Sequence, residues 1–151
     1  MSDPYRDVRA CLLAQLEVEE EAVLKPYTDT VGKITIGIGR NLTDNGITMD
    51  EALALCDTDM TRALGSLERY DWFAGLDAVR QTALGSMMFN LGASRFAGFK
   101  NMIAALARND FEAAAAAAQN SVWSSQTKTR AARIVRMIRT GEWPDDIHYP
   151  E

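Results

Sequence analysis

One stretch of this chain abandons helical spacing, and it limits the fold more than any other feature. In residues 27–40, Ile34, Ile36 and Ile38 alternate with Thr35, Gly37 and Gly39, and Gly32 marks a turn just before them. Alternation at period two is a strand pattern, so the segment reads as a short β-hairpin or small sheet. A small β-structure behind a first helix and ahead of a helical bundle makes an α+β fold, mostly helical.

The helices have legible ends. Ser2 or Asp3 can cap the first, with Pro4 in its first turn, where a missing N–H costs nothing. Leu12, Leu13, Leu16, Val23 and Leu24 recur along it at helical spacing, and it should stop before Pro26. After a turn at Asn45 and Gly46, Thr48 and Glu51 form a capping box at the head of a long helix over residues 48–70. Its stripe is Leu53, Cys56, Met60, Ala63, Leu64 and Leu67. Another helix covers residues 77–91 and ends near Gly92. A short one precedes Asn109, which caps the alanine-rich helix with Glu112 closing the box. The last covers residues 129–140, with Ala131, Ile134, Val135 and Ile138 inward and Gly141 ending it. With no Gly/Ser linker and no repeat, 151 residues amount to one domain, or two small lobes sharing a core.

Composition narrows the chemistry. Two cysteines, Cys11 and Cys56, cannot make a disulfide framework or a four-ligand zinc site, and both read as buried small hydrophobes. The only histidine is His148, near the end, which argues against a Ser-His-Asp triad and a multi-histidine metal site unless that tail folds back. No metal and no cofactor is expected. Carboxylates, hydroxyls and arginines remain.

Residues 1–60 hold 5 Lys/Arg against 12 Asp/Glu, whereas Lys128, Arg130, Arg133, Arg136 and Arg139 precede a single acid, Glu142. The net charge of −5 argues against nucleic acid as the main partner. The longest wholly apolar run, residues 113–118, falls far short of the roughly 20 residues of a membrane span. Acids near the N-terminus stand where a signal peptide carries bases, so neither membrane insertion nor export by the usual route is expected.

Three acids stand in a row, Glu19, Glu20 and Glu21. At about 100° per residue, Glu20 falls in the middle of the first helix's apolar stripe, Glu17 and Glu21 point to solvent, and Glu19 sits at the margin. A carboxylate on such a stripe either has a buried salt-bridge partner or takes up a proton, and the latter is what a general acid requires. Asp29 lies nine residues on, and Thr35 six beyond that. Two carboxylates facing across a cleft are the working parts of a glycosidase. By spacing alone, Asp29 is a weak signal and reads more readily as the cap of an ordinary turn.

Residues 16–40 resemble the active-site segment of the phage-type lysozymes, the endolysin family. The matching residues are Leu16, Glu20, Leu24, Tyr27, Asp29, Thr30, Gly32, Thr35, Ile36, Gly37 and Gly39. The similarity continues through Ile47, Thr48 and residues 50–52, and through residues 76–80. It resumes at residues 97–99 with Asn101, at Trp123 with Gln126 and Thr127, and at Arg130, Ala131, Arg133, residues 139–141 and Trp143.

This resemblance implies a two-lobed lysozyme-like fold. It would have an N-terminal lobe of about 14–50 holding a small sheet and a connecting helix of about 48–70. A C-terminal helical lobe of about 71–151 would include the first helix, 4–13. It implies hydrolysis of the β-1,4 bond between N-acetylmuramic acid and N-acetylglucosamine in bacterial peptidoglycan, by a monomer. Glu20 would be the general acid, Asp29 the opposing carboxylate and Thr35 the residue positioning water. Asn41, Phe89, Asn90 and Arg130 would contact substrate. Arg130 would approach the glutamate from the C-terminal lobe, although it also reads as one more base on a solvated helix. Met102 and Ala117 stand at substrate-contact positions with altered identities, and no role is carried onto them.

The chain departs from the family at Glu21, where a glycine is usual, and at Arg40, where a histidine is usual and Asp59 would be its partner. The loop between Arg40 and Thr48 is short. Such a lysin would collect in the host cytoplasm until release to the wall, and a virion-carried enzyme fits equally well. A non-catalytic peptidoglycan-binding protein on the same fold and a small helical adaptor are the competing readings.

Overall fold

The structure, a computed structural model, describes residues 3–151. The chain forms two compact units, Met1–Leu53 and Ala54–Glu151. Together they hold a small antiparallel sheet and a larger set of helices, the α+β lysozyme-like architecture expected.

The first unit opens with α1, Arg6–Glu19. Ser2 lies outside the described residues. Asp3 does not cap the helix: the N-cap is Tyr5, without a side-chain cap bond, and Asp3 Oδ1 accepts from the Tyr5 N–H at 2.9 Å, outside the helix. The helix ends sooner than its apolar pattern suggests. Glu20 is already extended (φ −113°, ψ 93°), and Val23–Thr28 is strand β1. Pro26 therefore lies inside a strand. It is tolerated because β1 is an edge of the β1-β2-β3 sheet and its ladder is irregular between Val23 and Tyr27, so the missing N–H removes no regular rung. Val23 and Leu24 consequently leave the helical stripe, and Leu24 is 84% exposed.

Strand β2, Ile34–Gly37, is the middle of the sheet, and β3, Arg40–Asn41, closes it. The rungs pair Tyr27 with Thr35 and Thr35 with Asn41, so these three side chains share one face. A four-residue helix, α2, Leu42–Asn45, follows. Helix α3, Met49–Leu67, begins with the expected capping box. The Glu51 N–H donates to Thr48 Oγ1 (3.2 Å) and the Thr48 N–H to Glu51 Oε2 (2.7 Å).

The second unit holds the rest of α3 and helices α4 (Ala78–Leu91), α5 (Ala93–Ala97), α6 (Lys100–Ala107), α7 (Phe111–Gln119), α8 (Val122–Thr127) and α9 (Thr129–Thr140). Leu67, Leu84, Met87, Phe96, Met102, Leu106, Ile134 and Ile138 are its largest fully buried side chains. Helix α4 starts at Asp77, whose Oδ1 accepts from the Arg80 N–H (2.9 Å), and α9 stops at left-handed Gly141 (φ 67°). The alanine-rich helix is capped by Asp110 rather than Asn109. Asp110 Oδ1 accepts from the Ala113 N–H (3.0 Å), while Asn109 takes the positive-φ position before it.

Arg80 ties the ends of α4 and α9 together. Its Nε donates to the Ile138 carbonyl (2.7 Å), Nη2 to that of Arg139 (3.2 Å) and Nη1 to Asp77 Oδ2 (2.8 Å). Its guanidinium lies 3.7 Å from the centre of the Phe111 ring. Burial works to raise the Asp77 carboxyl, and the backbone N–H and guanidinium of Arg80 outweigh it, holding the group below its ordinary range. The cysteines depart from expectation: Cys11 is exposed on α1, which buries none of its residues, and Cys56 is half-buried.

Candidate active site

Each carboxylate assigned from sequence has a local structural reason for its position. Glu20 occupies the C-cap of α1, its N–H donating to the Leu16 carbonyl at 2.7 Å. It is exposed, not seated on a buried stripe as the helical projection required: α1 buries none of its residues, and the helix ends before Glu20. Its carboxylate lies against Gly39, between β2 and β3. A Cβ there would stand 3.1 Å from Glu20 Cδ and Oε2, and Gly39 itself has φ +73°. Only glycine meets both demands without strain. The sequence shows Gly39 only as part of the alternating segment and gives no sign that a carboxylate rests on it.

Asp29 organises the β1–β2 turn. Its Oδ1 accepts from the N–H groups of Val31 (3.0 Å) and Lys33 (2.8 Å), and its own N–H donates to the Lys33 carbonyl (2.8 Å). The turn-capping reading of Asp29 is therefore correct as far as Oδ1 goes. Oδ2 accepts no hydrogen bond among the described residues, so one oxygen fixes the carboxylate and the other is open. Thr35 is 4% exposed, a buried polar residue at the centre of the sheet, with Oγ1 donating to the Lys33 carbonyl at 3.4 Å. Thr35 and Asn41 are direct neighbours across β2 and β3. Asn41 also caps α2: its Oδ1 accepts from the Asp44 N–H (3.0 Å) and its Nδ2 donates to Asp44 Oδ2 (2.9 Å). One amide hydrogen is left for any other partner.

The remaining assigned residues belong to the second unit. Phe89 (α4) and Arg130 (first turn of α9) line one groove of about 550 Å³ with an apolar floor that includes Met60, Leu64 and Gly85. Asn90 Oδ1 accepts from the Trp123 indole N–H at 2.9 Å, so the amide is oriented by a buried ring and keeps its N–H₂ end.

Arg40 finds a carboxylate inside its own unit, at Glu51. Its Nη1 donates to Glu51 Oε2 (2.9 Å) and to the Gly46 carbonyl (3.2 Å), and its Nη2 to Glu51 Oε1. Asp59 instead meets Arg62 one turn along α3, at 3.4 Å. The capping box holds Glu51 in place and offers both its oxygens to a planar fork, a better match for a guanidinium than a single contact.

Hydrogen bonds from the Arg40 guanidinium first, then from the Thr48 backbone, lower the Glu51 carboxyl from 4.5 to about 2. A carboxyl lowered on folding contributes stability that is complete above its unfolded value and fades as pH falls toward the folded one. The Arg40–Glu51 contribution should thus persist to pH 4.5 and disappear on the way to about 2. A carbon-detected NMR titration should find Glu51 near 2 in the wild type and raised part of the way toward 4.5 in Arg40→Ala, where the Thr48 bonds still lower it. Glu51 titrating near 4.5 in the wild type would remove the pair.

A helix-end glutamate against a glycine, an aspartate anchored by one oxygen in the β1–β2 turn and a buried threonine on a three-stranded sheet, with a helical bundle following in sequence, are the features of a lysozyme-like α+β protein. The chain belongs to the phage lysozyme family, whose model matches residues 17–139. Among its relatives is the pre-baseplate central spike protein Gp5 of Enterobacteria phage T4, 33% identical over an alignment covering 83% of this chain and 27% of that protein. Two Dictyostelium discoideum proteins described as "Probable T4-type lysozyme" 1 and 2 are each 28% identical, over 83% of this chain and 92% of their own length. The chain thus spans about a quarter of the spike protein and nearly all of the other two.

Proposed function

We propose that this protein is a muramidase of phage origin that hydrolyses the β-1,4 bond between N-acetylmuramic acid and N-acetylglucosamine in peptidoglycan. Glu20 donates a proton to the departing glycosidic oxygen, Asp29 works from the opposite side through its open Oδ2, and Thr35 orients the attacking water. Proton delivery and water activation are both carboxylate chemistry, so the reaction calls for no cofactor. Asn41, Phe89, Asn90 and Arg130 contact the glycan, the two asparagines through the amide hydrogens their structural bonds leave over. The protein acts as a monomer on the bacterial wall, reaching it from the host cytoplasm at lysis or as part of a virion. Among the described residues no helix is long and apolar enough to cross a membrane.

The observation that carries this reading is the place of Glu20 against Gly39, where an added Cβ would stand 3.1 Å from the carboxylate. The deciding measurement is the release of new reducing ends from purified peptidoglycan. Binding without release would favour the non-catalytic reading. Gly39→Ala adds a methyl that must displace the Glu20 carboxylate. A shift of a few tenths of an ångström, smaller than the ~1 Å misplacement that costs about 10²-fold, should lower the rate several-fold, up to about tenfold. Wild-type turnover in Gly39→Ala would separate the seat from the chemistry.

A further inference from the structure

The cations of α9 are left without work by the proposed hydrolysis, Arg130 aside. Where α7, α8 and α9 meet there is a groove of about 340 Å³ lined by Lys128, Arg136 and Arg139, with Gln119, Ser124 and Val135 among its walls and no carboxylate. Lys128 and Arg136 are exposed, and neither has a carboxylate within ion-pair distance among the described residues. Arg139 is partly compensated: its Nε donates to Glu112 (2.9 Å) and its Nη2 to Gln119 Oε1 (3.4 Å). Asp146, the other acid near this helix, is held by Arg133. In a chain of net charge −5, an acid-free groove with three bases is a local inversion of sign.

Lys128 adds a second observation. It joins α8 to α9 with φ 33° and ψ −90°, a backbone conformation that glycine adopts freely and a lysine does not. The strained junction brings an unpaired cation to the groove wall.

We propose that this groove binds phosphoryl groups, as carried by phosphate esters on an anionic polymer or surface. A carboxylate is satisfied by one planar guanidinium fork. A phosphoryl group carries more charge, and its tetrahedral oxygens accept from donors on several sides. Here three cations arrive from the α8–α9 junction and two further turns of α9, with the Gln119 amide and Ser124 hydroxyl beside them. The volume also admits the group to which a phosphate is esterified. The inference is independent of the muramidase reading.

The test follows backbone amide shifts of the whole chain as inorganic phosphate, then glycerol phosphate, replaces chloride at constant ionic strength. Saturable shifts should cluster at Gln119, Ser124, Lys128 and Arg136 and be absent with chloride. Lys128→Gly combined with Arg136→Ala should weaken the apparent Kd at least tenfold while leaving Tm unchanged or higher, because the glycine relieves the strained junction. Co-sedimentation with phosphatidylcholine vesicles containing phosphatidylglycerol, and not with phosphatidylcholine alone, would place the phosphate on a lipid. Shifts with glycerol phosphate but no vesicle binding would place it on a soluble or wall-linked ester. Equal shifts with chloride, shifts spread over Arg95, Lys100 and Arg108, or unaltered binding by the double variant would overturn the proposal.

Discussion

Glu20→Gln should lower the rate of reducing-end release from peptidoglycan by at least about 10²- to 10⁴-fold, the range attributed to general acid–base catalysis. Glutamine keeps the shape and hydrogen-bonding reach of the side chain but has no proton to deliver. Glu20 is exposed and lies outside the core, so thermal stability should change by no more than about 0.5 kcal/mol. Glu21→Gln is the matched control. Glu21 lies in the connection between α1 and β1, also exposed, and its substitution should leave turnover near wild type. The pair separates a catalytic role from a general effect of charge. Loss of activity in Glu21→Gln with retention in Glu20→Gln would reassign the acid and undo the proposed mechanism.

The largest expected effect on stability is at Arg80. Its side chain is 13% exposed and serves two carbonyls of α9, the Asp77 carboxylate and the face of Phe111 at once. Arg80→Ala leaves the two helix-end carbonyls without their donor, while the exposed Asp77 carboxylate loses only a solvent-screened partner. The two unsatisfied carbonyls give a loss of about 3 kcal/mol, or roughly 8 °C in Tm for a chain of this size. Arg80→Lys should recover less than half, because an ammonium cannot bridge two carbonyls and stack on a ring. Gly141→Ala reaches the same network from the other side, since its Cβ would stand 2.6 Å from Arg80 Nη1 at a φ of +67°. In the Arg80→Ala background only the strain of the left-handed residue should remain, about 1 kcal/mol. Denaturant titration of the double variant checks this, and strictly additive losses would show that Gly141 and Arg80 do not interact.

Elements whose ends are set by their own residues were readable in advance. Helix α9 ends at Gly141 and α4 begins at Asp77 because a left-handed glycine and an aspartate cap need only their nearest neighbours. The fold class followed from one alternating segment. Elements that depend on distant partners were not readable. Pro26 could be placed in a strand only once β2 supplied the ladder, and the extrapolated stripe carried Glu20 into a helix that had already ended. Helices α5 and α8, five and six residues long, are too short to show a period, and they exist because Phe96 and Trp123 are buried.

The candidate site divides the same way. The spacing of Glu20, Asp29 and Thr35 stood in the sequence and took its meaning from a family resemblance. The rung joining Thr35 to Asn41 and the seat of Glu20 on Gly39 are products of the register of the sheet. The expectation of Asp59 beside Arg40 comes from the family pattern, whereas the carboxylate that Arg40 takes within its own unit is the one the capping box holds out, Glu51.

Helix α7 carries a run of six alanines, of which Ala114, Ala115 and Ala118 are completely buried. A methyl side chain has no rotamers to lose on folding and no length with which to hold a neighbouring backbone away. The inner surface of α7 is thus little more than helix backbone, and α6 and α9, which pack against it, can approach its axis more closely than leucines would allow. Room for change along this helix is one-sided in consequence: its outer residues are free to vary, whereas every inner position can be enlarged only by prying two neighbours apart.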